Sequence, residues 1–552
     1  MLATLLLVAL AAVLFAKKDQ LFQGTLQPFG FSPMQWAIFM TLLTTASLVM
    51  HTQEVLGPGE GYWFHFPLVS LLQRGEFPPT HPFLPDLKLG DPFGRDYLVA
   101  LLSWLSGGGL AQLSATWLFH HSLLACAFFL SFGLGRRQAG TAGGFLMSSL
   151  IFFGISRGDR VGLADTYDGS SLLIYVLLLL LLSFESQSET STAGDLFLGL
   201  TLTVTGLVEP RLMLLFLLLL WLGPLLWPRG SQSRISPRAW LRPLLLSAGS
   251  GLFAALSYLP QSSAQATEFS SALNLSSVLA TSAWLPLYLG LPAGLWLLRQ
   301  RADVGGMFYS LGLGAGAVCL LWDLSSLAPK QQFFWEFTTG FGFAGALAVA
   351  LALLWQHGGW KKAAVVVLAV AASFPGASKV NRNLSDISKL PAERAALAHS
   401  PFYPSPQQWL VGSEQLAMTP GLIEASLELQ ARARPGERLL SDLACRSAQE
   451  LLQESTVIGL SAVSSMGHAA IPPGTAPKDS PSTRSAAWSQ LWEAGEVERL
   501  PSMGARWLLT TRPETAAMLR GHVAEEFLKE IESFGEVTLW RYLGPFEDPT
   551  HP

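Results

Sequence analysis

Charge is scarce in this chain. Asp, Glu, Lys and Arg make up 13% of its 552 residues, while 50% are hydrophobic, and the mean hydropathy is +0.37. A soluble domain carries roughly a quarter charged residues, so the shortfall excludes an ordinary soluble protein and points to a membrane. The net charge of −4 gives no basic surface for nucleic acid. Cysteine is rarer still. Cys126 and Cys319 fall in apolar segments and Cys445 stands alone in the C-terminal part, which excludes a disulfide framework there and any zinc-type cluster. No P-loop, G-x-S-x-G, H-E-x-x-H or dinucleotide motif occurs in its required context. Short-period repeats and long low-complexity tracts are missing too.

The polar stretch at residues 51–97 organises the rest. It reads HTQEVLGPGEGYWFHFPLVSLLQRGEFPPTHPFLPDLKLGDPFGRDY, with six acids, three histidines and two arginines threaded among aromatics. A long, Pro/Gly-punctuated loop between hydrophobic segments is more often functional than idle. Apolar spans are expected at 1–16, 35–50, 112–134, 139–155, 170–184, 195–208, 211–227, 243–259, 283–298, 304–321, 334–355 and 363–375. If the first ends inside, Lys17-Lys18, Arg136-Arg137, Arg229 to Arg242, Arg299/Arg301 and Lys361-Lys362 all fall in cytoplasmic connections. Only the 185–194 connection lacks a basic residue. This alternation satisfies the positive-inside rule.

On that topology the 51–97 loop, the 156–169 loop, the Glu209-Pro210-Arg211 turn and everything after residue 375 face outward. The run 97–107 is too short to span and is expected to lie at the interface or re-enter. After residue 375 charge rises and short β-like runs alternate with helical patterns. Strands are expected at 438–442, 456–461, 505–510 and 537–543, with helices at 445–454, 486–494 and 514–534 and a surface loop at 466–484. The expected division is therefore a polytopic membrane domain, 1–375, and a small α/β extracytoplasmic domain, 376–552.

Residues 75–107, GEFPPTHPFLPDLKLGDPFGRDYLVALLSWLSG, resemble polytopic GT-C-type membrane glycosyltransferases of the bacterial and archaeal envelope. The matching parts are Glu60…His65, then Gly75…Pro78-Pro79…Pro82-Phe83…Pro85-Asp86, then Pro92-Phe93-Gly94-Arg95-Asp96-Tyr97. The layout also fits, with about 12 transmembrane helices, GT-C-like, followed by an outward α/β domain. So does the strand Gly504-Ala505-Arg506-Trp507-Leu508-Leu509 after a helix. The resemblance implies a bacterial inner-membrane, multi-pass enzyme with an extracytoplasmic C-terminal domain. Its partners would be membrane lipids and a polyprenyl-phosphate-sugar donor, and transfer to a glycan, lipid or protein would proceed with inversion. An acid in the first outward loop would be the general base. The family pattern places an Asp about four residues before the His, whereas this chain has Glu60, five before His65.

Read as chemistry, Glu60 sits just beyond a span and before three aromatics, where partial desolvation raises a carboxylate toward a useful base. Glu54 is the second candidate, and His65 would orient the base or touch phosphate. The bland alternative is a solvated carboxylate beside an aromatic belt. Asp91, Arg95 and Asp96 lie where the chain returns to the membrane. Arg95 either holds a lipid phosphate or forms a local ion pair with Asp91 or Asp96. Asp165 and Asp168 either share one face toward a divalent cation or cap the helix that follows. No motif fixes a metal site or names a cofactor. Glu209 and Arg211 form either a tight outer hairpin or a pair lining a cavity. The competing reading is a non-enzymatic transporter or scaffold with the same fold. Compartment reporters fused after residues 97, 302 and 552 are expected to place 97 and 552 outside and 302 inside. Position 97 inside would contradict the whole arrangement.

Overall fold

The computed structural model describes residues 31–56, 68–69, 72, 79, 93–105, 111–157, 160–163, 169–185, 192–226, 244–249, 284–300, 303–321, 329–389, 424–425, 428–429, 432, 438–441, 468–469, 505–510, 513–522 and 528–543. The chain forms two compact units. One comprises Met1–Gln53 and His120–Asp386, the other Glu54–Phe119 and Ile387–Pro552.

The first unit is helical. Helix α1 (Pro33–Leu56) begins with a capping box written as Ser32-Pro33-Met34-Gln35. The Gln35 N–H donates to Ser32 Oγ at 3.3 Å, and the Ser32 N–H donates to Gln35 Oε1 at 2.9 Å. Proline occupies the first helical position, where no N–H is needed. Because α1 runs on to Leu56, His51 and Glu54 belong to its last turns and the polar loop starts later than the sequence pattern indicates.

After α2 (Gly94–Leu105) in the second unit, the long element α3 (Ala111–Phe153) breaks at Ala139 and Gly140, the latter at φ 66°. Ser131 and Ser148 hydroxyls lie 3.3 Å apart and Phe128 meets Phe152, so the two halves run antiparallel. Gly135 and Gly143 make the approach possible, since a Cβ on either would collide with the other's carbonyl. Two short strands follow, β1 (Ser156–Arg157) and β2 (Arg160–Val161). Then come α4 (Gly169–Glu185), α5 (Thr192–Val208), α6 (Pro210–Leu226), α7 (Trp284–Gln300), α8 (Asp303–Leu321), α9 (Pro329–Gln356) and α10 (Trp360–Ile387).

Each expected span between 283 and 355 is matched within a few residues. The last one is longer than expected, because α10 passes through Pro375 and ends at Ile387. Of the expected 243–259 span only 244–249 is described, and it is helical. The first, 1–16, lies outside the described residues. Among the described residues three helices are long and apolar enough to cross a membrane: Pro33–Met50, Phe334–Gln356 and Trp360–Asp386. Several others are apolar but shorter, including Leu172–Glu185, Pro210–Trp221 and Val304–Leu320.

Burial sorts these helices into centre and periphery. Helix α9 is buried almost throughout, whereas α10 buries a narrow seam (Val365, Ala372, Gly376, Lys379, Asn383) and exposes Val366, Val367, Val370 and Phe374. Such an apolar outer face suits lipid rather than water. Contacts also follow the alternation read from the charges. Phe31 and Trp36, at the start of α1, belong to an aromatic cluster in which Phe31 meets Phe132 and Phe145. Arg137, in the bend of α3, donates to the Ser183 carbonyl in the last turn of α4. Elements expected on one side therefore gather at one end. Helices α8 and α9 pack through Gly312 and Gly342, where a Cβ would meet the partner backbone.

In the second unit, Val99 and Ala100 of α2 pack with Leu68, Val69 and Leu72, flanked by Phe93, Tyr97 and Phe119. At 12 residues, α2 rises only about 18 Å, too little to span. A five-stranded sheet has the order β4-β3-β5-β7-β6. Its strands are β3 (Arg438–Ser441), β4 (His468–Ala469), β5 (Ala505–Thr510), β6 (Leu528–Phe534) and β7 (Val537–Tyr542). β3 pairs in parallel with β4 and β5, and β7 pairs antiparallel with β5 and β6. The strands expected at 438–442, 505–510 and 537–543 are present. Those at 456–461, and the helices at 445–454 and 486–494, lie outside the described residues.

Two expectations fail here. The helix expected over 514–534 stops as α11 (Pro513–His522), and 528–534 is strand instead. Its Lys/Glu-rich composition suits a helix, but Gly535 at φ 63° allows a two-residue turn that pairs it with β7. The expected surface loop 466–484 contributes β4. The edge strand β6 is charged and carries a bulge between Glu530 and Glu532, which discourages further pairing. Arg520 donates to both carboxylate oxygens of Glu530 and holds that carboxyl below the ordinary carboxylate range. Gly342→Val is expected to destabilise the protein by on the order of 3 kcal/mol through overpacking. Gly199→Ala, which meets only a Leu246 methyl, should be nearly neutral. Thermal unfolding in detergent reads both.

Candidate functional site

The most organised ionisable group of the helical unit is built from one turn. Helices α5 and α6 are joined by a single residue, Glu209. Gly199 and Trp221, on either side of it, meet Leu246 and Ser247 respectively, so the chain folds back here. Pro210 opens α6, and Glu209 takes the N-cap position. The Glu209 N–H donates to the Thr205 carbonyl at 2.7 Å, and its own carbonyl accepts from Leu212 and Met213. Its carboxylate accepts the Arg211 N–H at 3.3 Å, and the helix N-terminus favours the negative charge. The same carboxylate then takes the Arg211 guanidinium in a fork, Nε to Oε1 at 2.5 Å and Nη2 to Oε2 at 2.7 Å. The tight-hairpin reading of this tripeptide is therefore the one the structure adopts, with the ion pair folded into it.

The two partners are unequally buried. The Glu209 side chain is 5% exposed and that of Arg211 29%. The guanidinium lies over the Phe334 ring, 5.3 Å from its centroid. Phe334 stands in the second turn of α9, and Thr338, one turn on, donates to its carbonyl at 2.6 Å. Tyr175 of α4 is fully buried against Phe337 and Phe341, with its hydroxyl 3.2 Å from Thr338 Oγ1. Cys319 of α8 and Thr339 complete this end. Glu209 and the Phe334 ring hold a partly exposed guanidinium between them. Its Nε–H and one Nη2–H are taken by Glu209, so a phosphate or carboxylate oxygen would meet the N–H groups that remain on Nη1 and Nη2.

The second ion pair lies in the other unit. Arg95 and Asp96 are both buried, with Nη1 2.7 Å from Oδ1, in the first turn of α2. Of the two readings left open for Arg95, the local pair with Asp96 is the one formed. Asp96 also sits where the helix dipole favours it.

The remaining candidates are placed unevenly. Glu60, His65, Asp91, Asp165 and Asp168 lie outside the described residues, and for Glu54 only the helical backbone of α1 is described. Sequence reasoning found Glu209 and Arg211 but missed Tyr175, Phe334 and Thr338, as well as Glu336, a buried acid on α9. The signal was available: Tyr175 interrupts a Leu-rich run, and Glu336 and Thr338 interrupt an aromatic one. Among the described residues no group of three or more His, Cys, Asp or Glu is placed to hold a metal.

No family model matches this sequence, and no curated protein matches it significantly. Among solved structures it is similar to ArnT from Cupriavidus metallidurans bound to undecaprenyl phosphate, at 12% identity and a TM-score of 0.49, over 92% of this chain and 98% of that one. The apo structure of the same ArnT gives 12% identity and a TM-score of 0.46, over 91% and 97%.

Removing one partner of a buried pair costs about 3–5 kcal/mol when a charge is left uncompensated. Glu209 is the deeper partner, so Arg211→Ala should destabilise more than Glu209→Ala. Melting temperatures in one detergent would show this order, and the reverse order would mean that Arg211 finds other compensation.

Proposed function

We propose that this chain is an integral-membrane, inverting glycosyltransferase of GT-C type that takes a sugar from a polyprenyl-phosphate donor. The supporting sequence observation is the first-loop motif set around Glu60, His65 and residues 75–97. The supporting structural observation, and the one that carries the reading, is the forked Glu209–Arg211 pair at the end of the bundle where outward loops are expected. In this reading Glu60 accepts the proton of an acceptor hydroxyl, and that oxygen attacks the anomeric carbon. The bond from that carbon to the phosphate oxygen breaks, and polyprenyl phosphate leaves with the electron pair. Donors of this type carry a good leaving group, so positioning and proton removal are the protein's main tasks. Within the helical unit, Arg211 is the group that would bind a lipid phosphate, with Glu209 holding the guanidinium in place.

The acceptor in this reading is an envelope glycan, lipid or protein, and the cell location is the bacterial inner membrane with the C-terminal domain outside.

Glu60→Gln is expected to abolish transfer from polyprenyl-phosphate-sugar while expression and polyprenyl-phosphate binding persist. Arg211→Lys keeps the charge but loses the fork, and should weaken polyprenyl-phosphate binding about tenfold, the effect of one charge-assisted hydrogen bond. Full transfer by Glu60→Gln would move the base to Glu54 or Asp96. Unchanged binding by Arg211→Lys would remove Arg211 from the site.

A further inference from the structure

We infer that Tyr175 is a positioning residue for Arg211, acting through Thr338 and Phe334; the inference rests on the reading of Arg211 as the phosphate-binding group. Tyr175 is buried among apolar and aromatic side chains, and its ring packs on Phe337 and Phe341 of α9. Phenylalanine would fill the same space without the cost of burying a hydroxyl, so the hydroxyl calls for a specific partner.

That partner is Thr338, and the direction of the bond is fixed by what Thr338 does next. Its Oγ1 lies 2.6 Å from the Phe334 carbonyl, which can only accept, so the threonine proton is committed there. Tyr175 must therefore be the donor across the 3.2 Å contact. The chain of bonds runs from the Tyr175 hydroxyl to the Thr338 hydroxyl to the Phe334 carbonyl. It ends at the residue whose ring lies under the Arg211 guanidinium.

A threonine that bonds back to the i−4 carbonyl tends to loosen and bend a helix turn. Thr339 does the same with Trp335 at 2.9 Å, so this turn of α9 carries two such bonds side by side. Clamping it from α4 fixes the turn of backbone that carries the Phe334 ring. On the opposite side Glu209 fixes the fork. The Tyr175 hydroxyl thus bears on one support of Arg211, the Phe334 turn, without being placed against the ligand.

The test uses the full chain in nanodiscs, titrated with a polyprenyl phosphate, with Arg211→Lys setting the scale. Tyr175→Phe and Thr338→Val should each weaken binding about fivefold, the effect of one net hydrogen bond. Thr338→Ser, which keeps the hydroxyl, should bind as the parent does. In the Arg211→Lys background the Tyr175→Phe effect should disappear, because the group it positions is gone. Wild-type binding by Tyr175→Phe beside weak binding by Arg211→Lys would overturn the positioning role alone. An equal Tyr175→Phe loss in both backgrounds would also overturn it, as a general loosening of the bundle. Wild-type binding by Arg211→Lys would overturn the phosphate reading, and the positioning role would fall with it.

Discussion

A carboxylate and a guanidinium at the end of an apolar bundle cannot be left to themselves. Moving either ion from water into a low-dielectric interior costs several kcal/mol even after relaxation. Glu209 and Arg211 meet that cost with a forked pair, a helix N-cap and a ring beneath the guanidinium. Each of these demands something of its neighbours. The cap demands Pro210 at the start of α6, and the fork demands a turn tight enough to bring residues 209 and 211 together. The ring demands that α9 present Phe334 at this height.

Close approach is what lets so many helix ends converge. Glycines at 312 and 342 let α8 and α9 touch backbone to backbone, and those at 135 and 143 do the same within α3. Lipid-facing surfaces need no such precision, and α10 shows the contrast with its exposed valines and single buried seam. Interior threonines bond back to their own helices, as Thr201, Thr205, Thr338 and Thr339 do. Many polar atoms are thereby satisfied within one element, while Tyr175–Thr338, Cys319–Thr339, Arg137–Ser183 and Trp221–Ser247 reach between elements.

The helical frame was legible because hydrophobic period and basic residues both report on it. The bend of α3 was visible as Arg136-Arg137 between two apolar spans, whereas the capping box that starts α1 emerges only with the structure. The Glu209-Pro210-Arg211 turn was legible as ionisable residues and a proline inside an apolar run. Its partners were harder to see, because Tyr175, Phe334 and Thr338 come from helices distant in sequence and are joined only by packing. Glu54 was misassigned to a loop because α1 extends past its apolar stretch. In the sheet, β5 and β7 were readable from β-branched and aromatic alternation. β6 was not, since its composition favours a helix and only pairing with β7 across Gly535 overrides that preference.

The central claim is that the Arg211 end of the bundle receives a lipid phosphate, and a photoreactive polyprenyl phosphate tests it most directly. Crosslinked in membranes and mapped by mass spectrometry, it should label peptides containing residues 205–213 and 329–341, and unlabelled polyprenyl phosphate should compete for them. Labelling confined to the exposed face of α10, with no competition, would mean that the lipid merely surrounds the protein and would contradict the account.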